Sequence, residues 1–123
     1  MPPSLLSYLP SRLAVLGLSI CLTACEQASE PFDSAAASAS PADPALAQLY
    51  DSSCKVCHAL PSSGAPLTGH TQAWQPRLEK GMQTLLDHSI DGFQNMPPMG
   101  LCMHCSEQQF EALIDFMSSP PQP

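Results

Sequence analysis

The pentapeptide Cys54-Lys55-Val56-Cys57-His58 constrains this chain more than any other feature. Two thiols three residues apart at the end of a helix lie on one side, where both can form thioethers with the two vinyl groups of one porphyrin. The adjacent imidazole can then reach the iron from below the ring. C-x-x-C-H is accordingly the attachment pattern of haem c. Two other chemistries use paired cysteines. A thioredoxin-like redox pair needs a βαβ setting, and the chain shows no alternating strand pattern and no internal repeat. A zinc site can draw on a second pair, Cys102 and Cys105. The gap between the pairs, however, is far longer than a zinc ribbon uses, and zinc gives no reason for a histidine directly after Cys57.

The residues around the motif predict helices. Asp43 can accept a first-turn N–H and Pro44 has a preset φ with no amide proton to lose, so a first helix starts there. Leu46, Leu49 and Tyr50 give it an apolar stripe that runs into Cys54. Ala73 to Lys80 and Met82 to Ser89 read as two short helices separated by Gly81, with Pro76 tolerable only if its helix begins within the preceding few residues. Gly92 ends the second of them. Ser106 and Gln109 form a capping box before Phe110, Leu113, Ile114 and Met117, which predicts a last amphipathic helix stopped by Pro120-Pro121. The expected domain is all-α and spans 44–119. At about 75 residues a hydrophobic core alone gives marginal stability.

A haem iron calls for a second axial ligand, and Asn95-Met96-Pro97-Pro98-Met99 offers one. Met96 is the first candidate, because a residue before proline is pushed to an extended backbone and two successive prolines stiffen the chain beyond it. Met99, His70, His88 and His104 stand behind it. A thioether ligand raises the reduction potential of a haem. These residues, with Gly64-Ala65-Pro66, Trp74-x-Pro76-Arg77, Gly81, Leu85-Leu86, Gly92, Met96-Pro97-Pro98-x-Gly100 and Cys102-x-x-Cys105, resemble a class I c-type cytochrome of the c5 type over roughly Ala45 to Met117. The resemblance implies four or so helices wrapped around one covalent haem c, with Cys54 and Cys57 as thioether carriers and His58 and Met96 as axial ligands of the iron. It also implies a Cys102–Cys105 disulfide, a Pro66 carbonyl on the Nδ1–H of His58, and Trp74 and Arg77 near the propionates. Two positions depart from the family: Ala59-Leu60-Pro61 stands where a glycine usually follows the histidine, and Met99 stands where a lysine is common.

The N-terminal stretch sets the expected location. Arg12 precedes the apolar run Leu13 to Leu22, too short for a mature membrane span, so residues 1–24 read as an export signal. Leu22-Thr23-Ala24-Cys25 resembles the lipobox of bacterial lipoproteins, which makes Cys25 the lipidated residue and 25–43 an Ala/Ser/Pro-rich linker, with 120–123 a short tail. A flexible linker of this length spans roughly 23 Å and reaches about 60 Å at full extension. After Ala24 the cations Lys55, Arg77 and Lys80 face eleven acids, a net charge of −8, which argues against nucleic-acid binding. The expectation is therefore a membrane-anchored one-electron carrier, not an enzyme. It would sit on the periplasmic side of the cell envelope, with the outer membrane favoured by Glu26 after the lipidated cysteine. Its partners would be an oxidase, a reductase or another cytochrome, meeting it as a monomer or weak dimer at an apolar edge framed by Pro98, Met99 and Leu101. The rival class is a ligand-sensing or peroxidase-like haem protein with an open sixth position.

Overall fold

The computed structural model describes residues 36–121. The expected export signal, the expected lipidation site Cys25, the first part of the expected linker and the last two residues of the tail lie outside the described residues. The frame is built of the α-helices α1 Pro44–Ser52, α2 Lys55–His58, α3 Thr71–Leu78, α4 Met82–Asp91 and α5 Glu107–Ser118. Short 3₁₀ turns occupy Pro61–Ser63 and Pro98–Leu101. Among the described residues no strand forms beyond a single bridge between Phe93 and Met96. None of their helices is long and apolar enough to cross a membrane.

Helix α1 begins where its cap residues dictate, with the Leu46 amide donating to the Asp43 carboxylate at 2.7 Å and Pro44 in the first turn. It does not run into the cysteine motif. Ser53, at φ −135° and ψ −81°, breaks it, and the motif occupies a separate turn, α2. Helix α5 carries the full capping box: the Ser106 hydroxyl accepts from the Gln109 amide, and the Gln109 side chain accepts from the Ser106 amide. Its apolar stripe, Phe110, Leu113, Ile114 and Met117, is buried, and α5 packs against α1, α3 and α4. The core therefore lies around α5, where Tyr50, Trp74, Leu85 and Leu86 meet that stripe. Tyr50 and Phe116 join α1 to α5 edge to face at 5.0 Å.

Three sequence expectations are revised. Helix α3 starts at Thr71 and ends at Leu78, so Pro76 sits in its second turn, not its first. Having no N–H, Pro76 leaves the carbonyl of Gln72 without its helical donor, which is cheap because Gln72 is exposed and the helix ends two residues later. Helix α4 continues past Ser89 to Asp91 before Gly92, at φ 87°, turns the chain. The stretch 36–43 is not free chain: Ala36 and Pro41 are buried, and Ser38 to Ala42 border a groove shared with Thr68, Phe116 and Pro121. Small side chains allow this segment to lie close against the domain.

The segment from Gly92 to Cys105 is a succession of tight turns. Phe93 and Met96 exchange backbone hydrogen bonds at 3.0 and 2.9 Å, the Gly100 amide donates to the Pro97 carbonyl, and the Cys102 amide to that of Met99. Gln94, Met99 and Leu101 all have positive φ, as do Gly92 and Gly100. For a residue with a Cβ that conformation costs about 1–2 kcal/mol, so the loop holds strain that its surroundings must offset. Cys102 and Cys105 form a disulfide at its end.

Candidate functional site

Helix α2 presents the cysteine motif as one turn: the His58 amide donates to the Cys54 carbonyl at 2.9 Å, and Cys54, Cys57 and His58 all line one cleft of about 400 Å³. Both thiols are free. Burial pushes the Cys54 thiol above its ordinary range, opposed by a contact with the Ser53 hydroxyl. The cleft also takes in Pro66, Trp74, Arg77 and Met96, which lie far apart in the chain and are brought together by the turns after α2, by α3 and by the Gly92–Cys105 loop.

His58 is held in one chemical form. A carbonyl only accepts, so the 2.8 Å contact between the imidazole and the Pro66 carbonyl makes Nδ1 the protonated nitrogen and leaves the Nε2 lone pair available. Burial lowers the pKa of the ring, the Pro66 hydrogen bond opposes that shift, and the Arg77 charge adds to it. Trp74 stacks on the imidazole at 5.5 Å with 24° between the planes. Its indole N–H donates to the Leu67 carbonyl at 2.9 Å, and one guanidinium nitrogen of Arg77 donates to the Ala73 carbonyl at 2.6 Å. The loop without the usual glycine closes by a 3₁₀ turn, in which the Ser63 hydroxyl donates to the carbonyls of Cys57 and Leu60 and accepts from the Ala65 amide.

The two methionines of the proline-rich turn separate. Met96 lines the cleft, its methyl 2.9 Å from where a Cβ on Gly100 would stand. Met99, half-buried, packs against the hydrophobic core and does not line the cleft, where Leu101, 53% exposed, and Phe93, 42% exposed, stand. His88 also borders the cleft, stacked on Phe93 at 3.8 Å, whereas His70 and His104 do not line it. The zinc alternative loses its second pair, since Cys102 and Cys105 are bonded to each other, and the described residues hold no group of three His, Cys, Asp or Glu suited to a metal ion. Sequence reasoning held His88 only as an alternative ligand and missed Ser89, Phe93 and Lys80 as cleft residues. Only Lys80, one turn beyond Arg77, carried a readable signal.

A family model described as cytochrome C oxidase, cbb3-type, subunit III, matches residues 41–117. The chain belongs to the class I c-type cytochromes. It is 37% identical over 67 residues to cytochrome c5 of Azotobacter vinelandii, covering 53% of this cytochrome and 81% of that one. Cytochrome c-555 of Chlorobaculum tepidum is 38% identical over 72 residues, covering 55% and 67% respectively. Among solved structures, the cytochrome c of an electron transfer complex with nitrite reductase aligns at a TM-score of 0.54 with 39% identity, over 62% of this chain and 93% of that one. Family membership brings one covalent haem c with its iron, Cys54 and Cys57 standing at the attachment positions. The cleft suits it. It offers two free thiols, an imidazole with an available nitrogen, a thioether and apolar side chains from Leu85, Ile114 and Met117, while Arg77 and Lys80 add positive charge to its lining.

Proposed function

We propose that this cytochrome is a one-electron carrier in which His58 and Met96 hold the iron from its two faces. The observation that carries this reading is the presence of the His58 imidazole, with Nδ1 already committed, and the Met96 thioether in one cleft. When bound, the haem supplies an Fe(III)/Fe(II) couple. The protein keeps Cys54 and Cys57 placed for thioethers, orients His58 through Pro66 and Trp74, and excludes water with Ile114, Met117 and Leu85. Filling both axial positions leaves no room for a substrate, which favours carriage over catalysis. Its redox partner, an oxidase, a reductase or another cytochrome, would meet the cleft mouth at Leu101 and Phe93 in a small transient contact. The likeness to a cytochrome c that forms an electron transfer complex with nitrite reductase supports a protein partner. Lipid on Cys25 would tether the domain to the periplasmic side of the envelope, most simply at the outer membrane.

Two measurements test the proposal. Ferric protein matured in a haem-loading host should show the near-infrared charge-transfer band of an iron–thioether bond, and ferrous protein should take up carbon monoxide slowly. Immediate uptake with no such band would place the protein in the ligand-sensing class. For the anchor, the intact mass of membrane-extracted protein should carry acyl chains, and Cys25→Ser should release the domain to the soluble fraction.

A further inference from the structure

The loop that carries Met96 is stretched between two anchors. At one end Gly92 is pressed against Pro98, where a Cβ would come within 2.9 Å of the Pro98 nitrogen, and the Pro98–Leu101 turn packs on α4. At the other end Cys102 is tied to Cys105, directly before the Ser106 cap of α5. Between them lie Gln94, Met99 and Leu101, which are all the non-glycine residues of positive φ among the described residues. Such backbone conformations persist only where the chain ends are fixed, because relaxing them to extended geometry lengthens the segment. The anchor at Cys102 is the covalent one, and α5 does not depend on it: its capping box and the burial of Phe110 and Leu113 hold it in place.

We infer that the Cys102–Cys105 disulfide positions Met96, and that its reduction by a dithiol lets the strained loop relax and withdraws the thioether from the cleft. The inference rests on Met96 being the axial ligand. In the exchange the dithiol gives up two electrons and two protons and becomes a disulfide, while the Cys102–Cys105 bond breaks and each sulfur takes one electron and one proton as a thiol. The iron's oxidation state does not change. Both cysteines are buried, Cys105 less deeply than Cys102, and Met103, 72% exposed, and His104 lie at the surface between them, so an attacking thiolate would approach from the side of Cys105. Cys102 and Cys105 are positioning residues here, acting through Met96.

The test uses the haem-loaded protein without oxygen. Ascorbate reduces the iron and leaves disulfides intact; one portion is then treated with dithiothreitol and iodoacetamide, and alkylation of both sulfurs is verified by mass. Carbon monoxide association is followed in both portions, with far-ultraviolet circular dichroism alongside. The expected result is uptake at least about tenfold faster in the alkylated portion, with the helical signal retained, since apparent affinity scales with the population of the open form. Equal rates in the two portions overturn the inference, as does a disulfide that resists the dithiol in the folded protein. A loss of helix on reduction also overturns it, because the bond is then a general staple. Fast uptake in the ascorbate portion alone instead removes Met96 as the ligand, and the inference falls with it.

Discussion

A histidine that is to offer a lone pair must be kept from taking up a second proton, and His58 is so kept by burial and by the Arg77 charge, while the Pro66 carbonyl fixes Nδ1 as the nitrogen that carries the one proton. Trp74 fixes the plane of that ring by stacking, and its own N–H is taken by Leu67. Trp74→Phe retains an aromatic face but removes one of the two donors to the Leu67 carbonyl, the other being the His70 amide, at a cost of about 0.5–1.5 kcal/mol measurable by urea denaturation of the haem-loaded protein. Across the cleft, Gly100 has φ +52° and no space for a Cβ beside the Met96 methyl. Gly100→Ala should displace the thioether, seen as loss of the near-infrared band and faster carbon monoxide uptake with the attached haem unchanged. A variant that keeps the band would show that Met96 adjusts around the new methyl. The C-x-x-C-H residues were legible because their chemistry requires a fixed spacing and side-chain type, and the place of Met96 at the cleft was legible from the two prolines that follow it. The direction of the Trp74 N–H was not, since the carbonyl it meets belongs to a residue whose side chain says nothing about it.

Helix α5 is the element on which the others depend, touching α1, α3 and α4. Leu113 is almost fully buried within it, so Leu113→Ala should cost about 2–5 kcal/mol, a large part of the stability of so small a domain. Ser106→Ala removes half of the capping box and should cost about 1 kcal/mol, both read from denaturation midpoints. Helix α1 is joined to the turn after α2 by a buried hydrogen bond of 2.9 Å between the Tyr50 and Thr68 hydroxyls, and the Thr68 amide donates to the His58 carbonyl. Desolvation raises the Tyr50 pKa above 10.0, outweighing the Thr68 contact that lowers it. The folded state therefore favours the neutral phenol. Its contribution is complete below pH 10.0 and is lost as pH rises through the higher folded value. Tyr50→Phe should be less stable at neutral pH and should lose less stability than the parent as pH rises above 10.0, whereas parallel curves would assign the alkaline loss to other groups. Caps and apolar stripes made α1 and α5 legible, because each rests on contacts within a few residues. The turns from Gly92 to Cys105 were not, because Gln94, Met99 and Leu101 take left-handed conformations that tertiary anchoring imposes and no local residue preference announces.

Over the whole molecule the charge is uneven. Lys55 pairs with Asp51 at 2.9 Å, while Arg77 and Lys80 border the cleft and none of the described acids lines it. Two such molecules, each of net charge −8 after Ala24, repel, so electron self-exchange between ferric and ferrous protein should be slow at low salt and accelerate as salt screens the repulsion. A rate independent of salt would mean that the cleft mouths meet without sensing the remaining charge. Class and cofactor were readable from the chain because one motif requires them; the packing of half-buried Met99 against the core was not, because it depends on how the loop closes over α4. The pairing of His58 with Met96 is tested most directly by proton–carbon nuclear magnetic resonance of the ferrous protein labelled at its methionine methyls. The expected spectrum contains one methyl resonance driven far upfield by a porphyrin ring, absent from Met96→Leu and present in Met99→Leu. A spectrum in which every methionine methyl keeps its ordinary shift, from protein that carries its haem, would contradict it.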